Sequence, residues 1–376
     1  MQKSTTLQKI IIFSLCALMV ITQNSCGIFG FFKEVARRSA QNETVKTSQS
    51  SKNPKPYKGA KIRDDRPFAD FQREILNDFQ NENYTALEEK ANQARLTKER
   101  FPGGYWKLAI LYTTLTDVFA EGAVTDEMWL AMIGKLKKWK QQMPQSITAR
   151  VALGKAYLQY GWFARGSGFS NTVAEKDLDK KRERMELAYT ELTEAQTLAA
   201  KCPQWYETML YIAMAESWSE EEYAALLEDA IKYEPDYYYY YYDVGMNALP
   251  RWSGRKGDWE KFAGEILKLD SKEKNMMYFL FVSHMVDNYY NEWVDRQSIS
   301  WDTIKKGYRE METKYGVDKQ RLNQYSFLAS VNEDMPEAYD AFMKIGEDFD
   351  DEVYSQARFN EIKSWATARY KAERGE

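Results

Sequence analysis

Residues 234–262 read EPDYYYYYYDVGMNALPRWSGRKGDWEKF. Pro235 stops one helix. Six consecutive tyrosines, Tyr237 to Tyr242, open the next and lead into an apolar tail. The loop Leu249-Pro250-Arg251-Trp252-Ser253-Gly254 turns the chain, and another helix starts near Gly257-Asp258. Proline is tolerated in the first turn of a helix and ends the one before it. The same kind of join recurs at Arg100-Phe101-Pro102-Gly103-Gly104-Tyr105-Trp106, at Gln142-Met143-Pro144-Gln145-Ser146 and at Lys201-Cys202-Pro203-Gln204-Trp205-Tyr206. The prolines, with Pro235, lie 42, 59 and 32 residues apart, and the longest interval carries an insertion over 161–181. Each join reads as a helix-to-helix corner.

Between the joins, apolar residues recur at three and four spacing, as in Phe68, Phe71, Ile75, Leu76 and Phe79. That period is helical, and alternating strand patterns are absent from the sequence. The expectation is an all-α body. Its helices fall near 67–80, 83–100, 104–120, 126–142, 146–163, 181–201, 204–217, 219–233, 236–248, 258–269, 272–293, 301–314, 318–331, 335–347 and 351–372. Leu153-Gly154-Lys155-Ala156-Tyr157 resembles the first helix of a tetratricopeptide repeat. Ala225, Leu226, Ala230, Tyr233 and Pro235 resemble the end of its second helix. The resemblance implies a tetratricopeptide-like, antiparallel helix-pair superhelix with a concave face. A plain helical bundle is the alternative.

The chain starts differently. Lys3 and Lys9 precede the apolar run Ile10 to Ile21. The run has the length of a signal-peptide core, about 7–15 residues, and is shorter than the roughly 20 that a spanning helix needs. Gln23-Asn24-Ser25-Cys26-Gly27 follows and resembles a bacterial lipoprotein signal, in which the cysteine becomes the acylated first residue. Residues 1–25 are thus expected to be a signal peptide. Residues 26–66 are expected to be a lipid-anchored, disordered basic leash, because they are poor in apolar residues. Residues 33–66 hold ten Lys and Arg against four Asp and Glu. With Lys3 and Lys9 that makes +8, so a chain total of −4 leaves −12 for the body from Pro67. An acidic body argues against nucleic acid.

Chemistry is sparse. Cys202 is the only cysteine of the body, so an internal disulfide is excluded there and a small buried side chain is expected. His284 is the only histidine and has no ligand spacing around it, so no metal site is expected. No phosphate-binding glycine loop, nucleophile elbow or cofactor motif occurs. Carboxylate clusters such as Glu220-Glu221-Glu222 and Asp348-Asp350-Asp351 read as solvated helix starts and turns.

Two loops both contain Arg-x-Ser-Gly. One is Tyr160-Gly161-Trp162-Phe163-Ala164-Arg165-Gly166-Ser167-Gly168-Phe169, followed by Ser170-Asn171-Thr172-Val173, and the other is Leu249-Pro250-Arg251-Trp252-Ser253-Gly254-Arg255. Arginine takes an anionic group with two parallel hydrogen bonds, and glycine allows close approach. Arg165, Ser167, Gly168, Arg251, Trp252, Ser253 and Gly254 are therefore the candidate binding residues; bracing of the corners by arginine–carboxylate pairs, for instance with Asp258, is the alternative. Both stretches resemble an uncharacterised bacterial domain family with Leu/Met-Pro-Arg-Trp-Gly-Gly, a helix ending in Phe-Ala, and an upstream Ala-Arg-Gly-x-Gly-Tyr-Ala-x-Thr-Val. Ser253 replaces a glycine, and Phe169-Ser170 replace Tyr-Ala. The resemblance spans roughly 70–270 and implies a helical-repeat body without a known activity. It divides the body into a motif-bearing unit, 67–270, and C-terminal helical repeats with a cap, 271–376.

These features point to a membrane-anchored envelope protein, at the outer membrane facing the periplasm, that serves as a helical-repeat scaffold for a protein or peptide partner on its concave face. A glycan- or peptide-binding lipoprotein with an aromatic groove is the second reading, and a cell-wall hydrolase the third. The anchor is tested by fractionation: Cys26→Ala is expected to move the protein from membranes to the soluble fraction. Continued tight membrane association would count against lipidation.

Overall fold

Serine and aspartate punctuate the helices of this computed structural model, which describes residues 66–118, 123–166, 172–293 and 295–375. Ser146, Ser219, Ser300, Asp318, Asp334 and Ser355 each accept the backbone N–H three residues on. Ser219 and Glu222 complete a capping box, which places Glu220-Glu221-Glu222 in a first turn. Such caps stabilise a helix by about 1 kcal/mol each. The signal segment, Cys26, Ser167 and Gly168 lie outside the described residues.

Fifteen α-helices result among the described residues: α1 (Ala69–Gln80), α2 (Tyr84–Thr97), α3 (Lys107–Thr116), α4 (Asp126–Gln142), α5 (Ile147–Arg165), α6 (Glu175–Gln196), α7 (Pro203–Ala215), α8 (Glu220–Tyr233), α9 (Tyr239–Asn247), α10 (Asp258–Ile266), α11 (Lys274–Tyr289), α12 (Trp301–Tyr315), α13 (Lys319–Val331), α14 (Met335–Ile345) and α15 (Gln356–Glu373). The all-α expectation holds. The boundaries differ by a few residues except at α6, which starts at Glu175 inside the expected insertion. None of the described helices is long and apolar enough to cross a membrane. Odd-numbered helices pack on one another in sequence from α1 to α15, and even-numbered helices pack against their odd neighbours. One apolar cluster runs through this stack from Ile75 to Ala366.

One join is not a helix-to-helix corner. Residues 100–106, expected to fall in helix ends, form a short antiparallel hairpin pairing Arg100 with Trp106 and Phe101 with Tyr105. Gly103 and Gly104 reverse the chain at φ +81° and +75°, which few other residues adopt. The hairpin reaches far along the chain. Gly103 N–H donates to the Gly316 carbonyl at 3.0 Å, and Tyr105 Oη donates to Gln320 Oε1 at 2.6 Å. Arg100 stacks on Trp106 and pairs with Glu273 at 2.6 Å. Trp106 Nε1 donates to the Asp236 carbonyl at 3.2 Å.

Arg66 reinforces this closure. It was expected to be the last residue of the leash, yet it is buried among Asp318 at 3.2 Å, Asp350 at 3.2 Å and Glu352 at 2.6 Å. Arg66 therefore packs with the body and not with a leash. Asp350, expected in a solvated turn, is fully buried because it faces this guanidinium. Removing one partner of such a cluster costs about 3–5 kcal/mol.

The tyrosine run is mostly core. Tyr237, Tyr238, Tyr240 and Tyr241 are fully buried, and Tyr239 and Tyr242 are half-buried. Tyr237 Oη donates to Gln204 Oε1 and Tyr241 Oη to the Pro235 carbonyl, both at 2.6 Å.

Two helix glycines give opposite expectations. A Cβ on Gly307 of α12 would lie 2.0 Å from the Asn275 carbonyl oxygen, whereas one on Gly264 of α10 meets nothing within 4 Å. Gly307→Ala is expected to destabilise by about 1–3 kcal/mol or more. Gly264→Ala is expected to stabilise by about 0.5–1 kcal/mol. Denaturant unfolding of the two variants measures both, and equal effects would contradict the α11–α12 approach.

Candidate functional site

Helix α9 uses most of its surface for packing. Tyr240 meets Tyr206 of α7, Tyr241 meets Phe262 of α10, and Gly245 admits Met285 and Phe281 of α11. The remaining stripe is Tyr239, Tyr242, Asp243 and Met246, spaced i, i+3, i+4, i+7. Tyr242 stacks face to face on His284 of α11, centroids 3.9 Å apart and planes 10° off parallel. Asp287 and Asn288 share the His284 face of α11. Asn288 Nδ2 donates to the His284 carbonyl at 2.9 Å.

These side chains border the seam between α9 and α11, which we take as a candidate recess. Tyr239, Tyr242, His284, Asp287 and Asn288 each keep some solvent contact. Burial, with help from Arg321, nonetheless pulls His284 down to about pKa 3. Burial also pushes Asp287 up to about 7; Asp350 and Glu352 add to the rise, while the Gln324 hydrogen bond and Arg321 oppose it.

The lining continues along the odd helices in both directions. On α13, Arg321 donates to Gln324 Oε1 at 2.9 Å, and Gln324 donates to Asp287 Oδ2 at 3.2 Å. Arg321 also donates to the Gly103 carbonyl at 3.2 Å and lies over the Tyr105 ring. On the other side, Glu207 and Tyr211 of α7 face Asp243. Lys155 of α5 pairs with Glu207 at 2.9 Å. Gln159 and Trp162 continue the Lys155 stripe toward the end of α5.

That end, bearing Trp162 and Arg165, meets Trp252 of the second arginine loop. Trp162 lies edge-on to Trp252, centroids 6.2 Å apart and planes at 89°, and also contacts Tyr211. Arg165 lies over Trp162 at 5.6 Å, and burial lowers its pKa. Arg251 lies over Tyr289 at 4.8 Å, and Tyr289 in turn meets His284 edge-on. Arg165, Arg251 and Trp252 thus adjoin one end of the recess. Ser253 and Gly254 brace the corner. Their N–H groups donate to the Asn247 and Leu249 carbonyls at the end of α9. A Cβ on Gly254 would sit 1.9 Å from the Ala248 oxygen. Asp258 accepts from the Arg255 backbone and from Lys261.

Sequence reading did not single out Tyr211, Asp243, Asp287 or Asn288. The i, i+3, i+4 spacing of Tyr239, Tyr242 and Asp243, repeated by His284, Asp287 and Asn288, was the available signal. His284 was expected to be a satisfied helix histidine, and its ring stacking and the Asn288 amide give it neighbours on this wall. No group of three potential metal ligands occurs among the described residues. Cys202 is buried beside Tyr112 Oη at 3.4 Å, as a structural thiol. Compared with known proteins, the chain matches no family model, no curated protein and no solved structure.

Asp287 gives the fold a pH dependence of defined sign. Its folded-state pKa lies above the unfolded carboxyl value of about 3.9. The native state therefore binds more protons between these values. The stability from this group is fully present below about pH 4 and is lost as pH rises through 7. Between pH 5 and pH 8.5, the wild type is expected to lose about 2–3 kcal/mol relative to Asp287→Asn. Urea unfolding of both proteins at the two pH values measures it; parallel curves would place Asp287 in solvent.

Proposed function

We propose that the protein is a lipid-anchored envelope protein that binds a glycan along the recess. One observation carries the reading: the half-buried rings Tyr239 and Tyr242 sit beside His284, and ring contacts through Tyr289 and Arg251 lead on to the loop of half-buried Trp252. Aromatic faces take the C–H faces of sugar rings, and planar polar side chains take the hydroxyls. The low pKa of His284 keeps its imidazole neutral, and the raised pKa of Asp287 favours its neutral form at mildly acid pH.

The scaffold reading has less support. A docked protein needs a broad apolar area. The exposed large apolar side chains are instead spread over six helices: Leu96 on α2, Leu130 on α4, Leu187 and Tyr189 on α6, Tyr233 on α8, Met343 on α14 and Trp365 on α15. The chain's own hairpin also occupies ground beside α9 and α13. Hydrolysis finds no support in a metal cluster among the described residues, and a surface hollow of about 570 Å³ between α11 and α12 is lined chiefly by lysine, arginine and glutamate.

The test is intrinsic fluorescence of the full chain in detergent, titrated with neutral oligosaccharides such as chitotetraose and cellotetraose. Binding is expected to change tryptophan emission. Tyr242→Ala and Trp252→Ala are each expected to weaken binding about tenfold or more, or roughly 1.4 kcal/mol. Wild-type protein that binds no oligosaccharide, while recovering a protein partner from membranes, would favour the scaffold.

A further inference from the structure

The hollow between α11 and α12, at about 570 Å³, falls in the size range of small-molecule sites, about 300–1,000 Å³. Four cations line it: Lys272 just ahead of α11, and Lys306, Arg309 and Lys314 on α12. All four are exposed. Two carboxylates, Glu273 and Glu310, line it too, and four cations against two carboxylates leave +2. The body as a whole is acidic, at −12 from Pro67, so the sign of this patch runs against that of the body.

Neither carboxylate serves Lys272 or Lys306. Glu273 is buried and pairs with the Arg100 guanidinium of the hairpin at 2.6 Å. It also accepts from Tyr315 Oη at 2.6 Å and from Lys314, so one carboxylate there faces two cations. Glu310 stands four residues after Lys306, the spacing of a helical ion pair. Its Oε1 instead accepts from Asn275 Nδ2 at 2.9 Å, and its Oε2 is buried. The close approach of Gly307 to the Asn275 backbone keeps Asn275 within that reach. Lys272 and Lys306 thus form no ion pair among the described residues. Arg309 is taken up by Glu312 at 3.1 Å and Glu337 at 2.7 Å.

The uncompensated charge lies at two ends. Lys306 stands at one, and Lys272 and Lys314 flank Glu273 at the other. Lys306 and Lys314 are two turns apart, roughly 12 Å along α12. The first turn of α11 borders the hollow, has no side-chain cap and carries no acidic residue, and a helix N-terminus favours an anion. Thr313 adds a hydroxyl.

We propose that this hollow binds a diphosphate group, with Lys306 at one end and Lys272 and Lys314 at the other. A phosphate ester carries about −1.5 to −2 charges and three strong acceptor oxygens, whereas a carboxylate has a single charge and two oxygens. Lysine ammoniums act as point charges with rotatable donors, so charge density and spacing set the choice of ligand. Two charged centres meet both ends of the hollow, and one centre does not. The site is separate from the α9–α11 seam, and neither reading needs the other.

The experiment is isothermal titration calorimetry of the full chain in neutral detergent with inorganic pyrophosphate, orthophosphate and succinate. Pyrophosphate is expected to bind wild type about tenfold or more tighter than either of the others. Lys272→Gln with Lys306→Gln is expected to weaken pyrophosphate about tenfold or more. Both side chains are exposed, and thermal unfolding checks that the fold is kept. Lys180→Gln with Lys232→Gln removes two exposed charges elsewhere and is expected to leave binding within about twofold. Raising salt from about 0.1 M to about 1 M shortens the Debye length from ~10 to ~3 Å and is expected to weaken binding. Farnesyl diphosphate in the same micelles separates two sources of the group. Binding about tenfold tighter than pyrophosphate assigns a lipid-borne diphosphate, and equal binding a soluble one. Orthophosphate or succinate binding as well as pyrophosphate, equal losses in the two double variants, or no pyrophosphate binding at all overturns the site and leaves the glycan reading untouched.

Discussion

The Arg321 guanidinium holds the two ends of the stack to the recess between them. It is almost wholly buried, donates to the Gly103 carbonyl of the N-terminal hairpin, and reaches Gln324, which in turn holds Asp287. A buried cation persists only when its neighbours supply acceptors or negative charge. Here the hairpin carbonyl, Gln324 and nearby Asp318 do so, with Tyr105 beneath the plane. Contacts between neighbouring helices alone do not fix how distant helices sit. Contacts between residues 66–106 and 273–352 do. They fix the relative placement of α9, α11 and α13, which bear Tyr242, His284 and Gln324.

How far the sequence foretold this varies with the range of the interaction. The Pro-led joins at Pro144, Pro203 and Pro235 were legible because proline acts on its own helix turn. Ser300 and Ser219 were legible for the same reason, as caps act within three residues. Residues 100–106 were not. Two-residue strands leave no alternation to detect, and their partners near Gly316 are more than 200 residues away. Arg66 was assigned to the leash on composition, which averages over a window and cannot see one buried guanidinium at its edge. Asp350 looked solvated because its neighbours are acidic, and only the fold brings Arg66 to it.

The candidate site shows the same division. Arg165, Trp252 and Arg251 stood out through residue type, and they lie near one another through the Trp162–Trp252 contact. The rest of the recess depends on which face of each helix remains after packing. That is settled only when Tyr240, Tyr241 and Gly245 have taken their partners. Gly254, singled out for a ligand, is required by the backbone of Ala248 instead.

The position of Arg66 also has a mechanical consequence. Its side chain, ahead of α1 in the chain, is gripped by three carboxylates from beyond α12. A pull on the preceding chain reaches this cluster before it reaches α1. The load is shared at once with Asp318 and Asp350, some 250 residues and more downstream. Several charged contacts must then be strained together, whereas a terminal helix without such a grip peels away one turn at a time. A pull applied at Arg66 is thus resisted by the C-terminal part of the body as well as by α1.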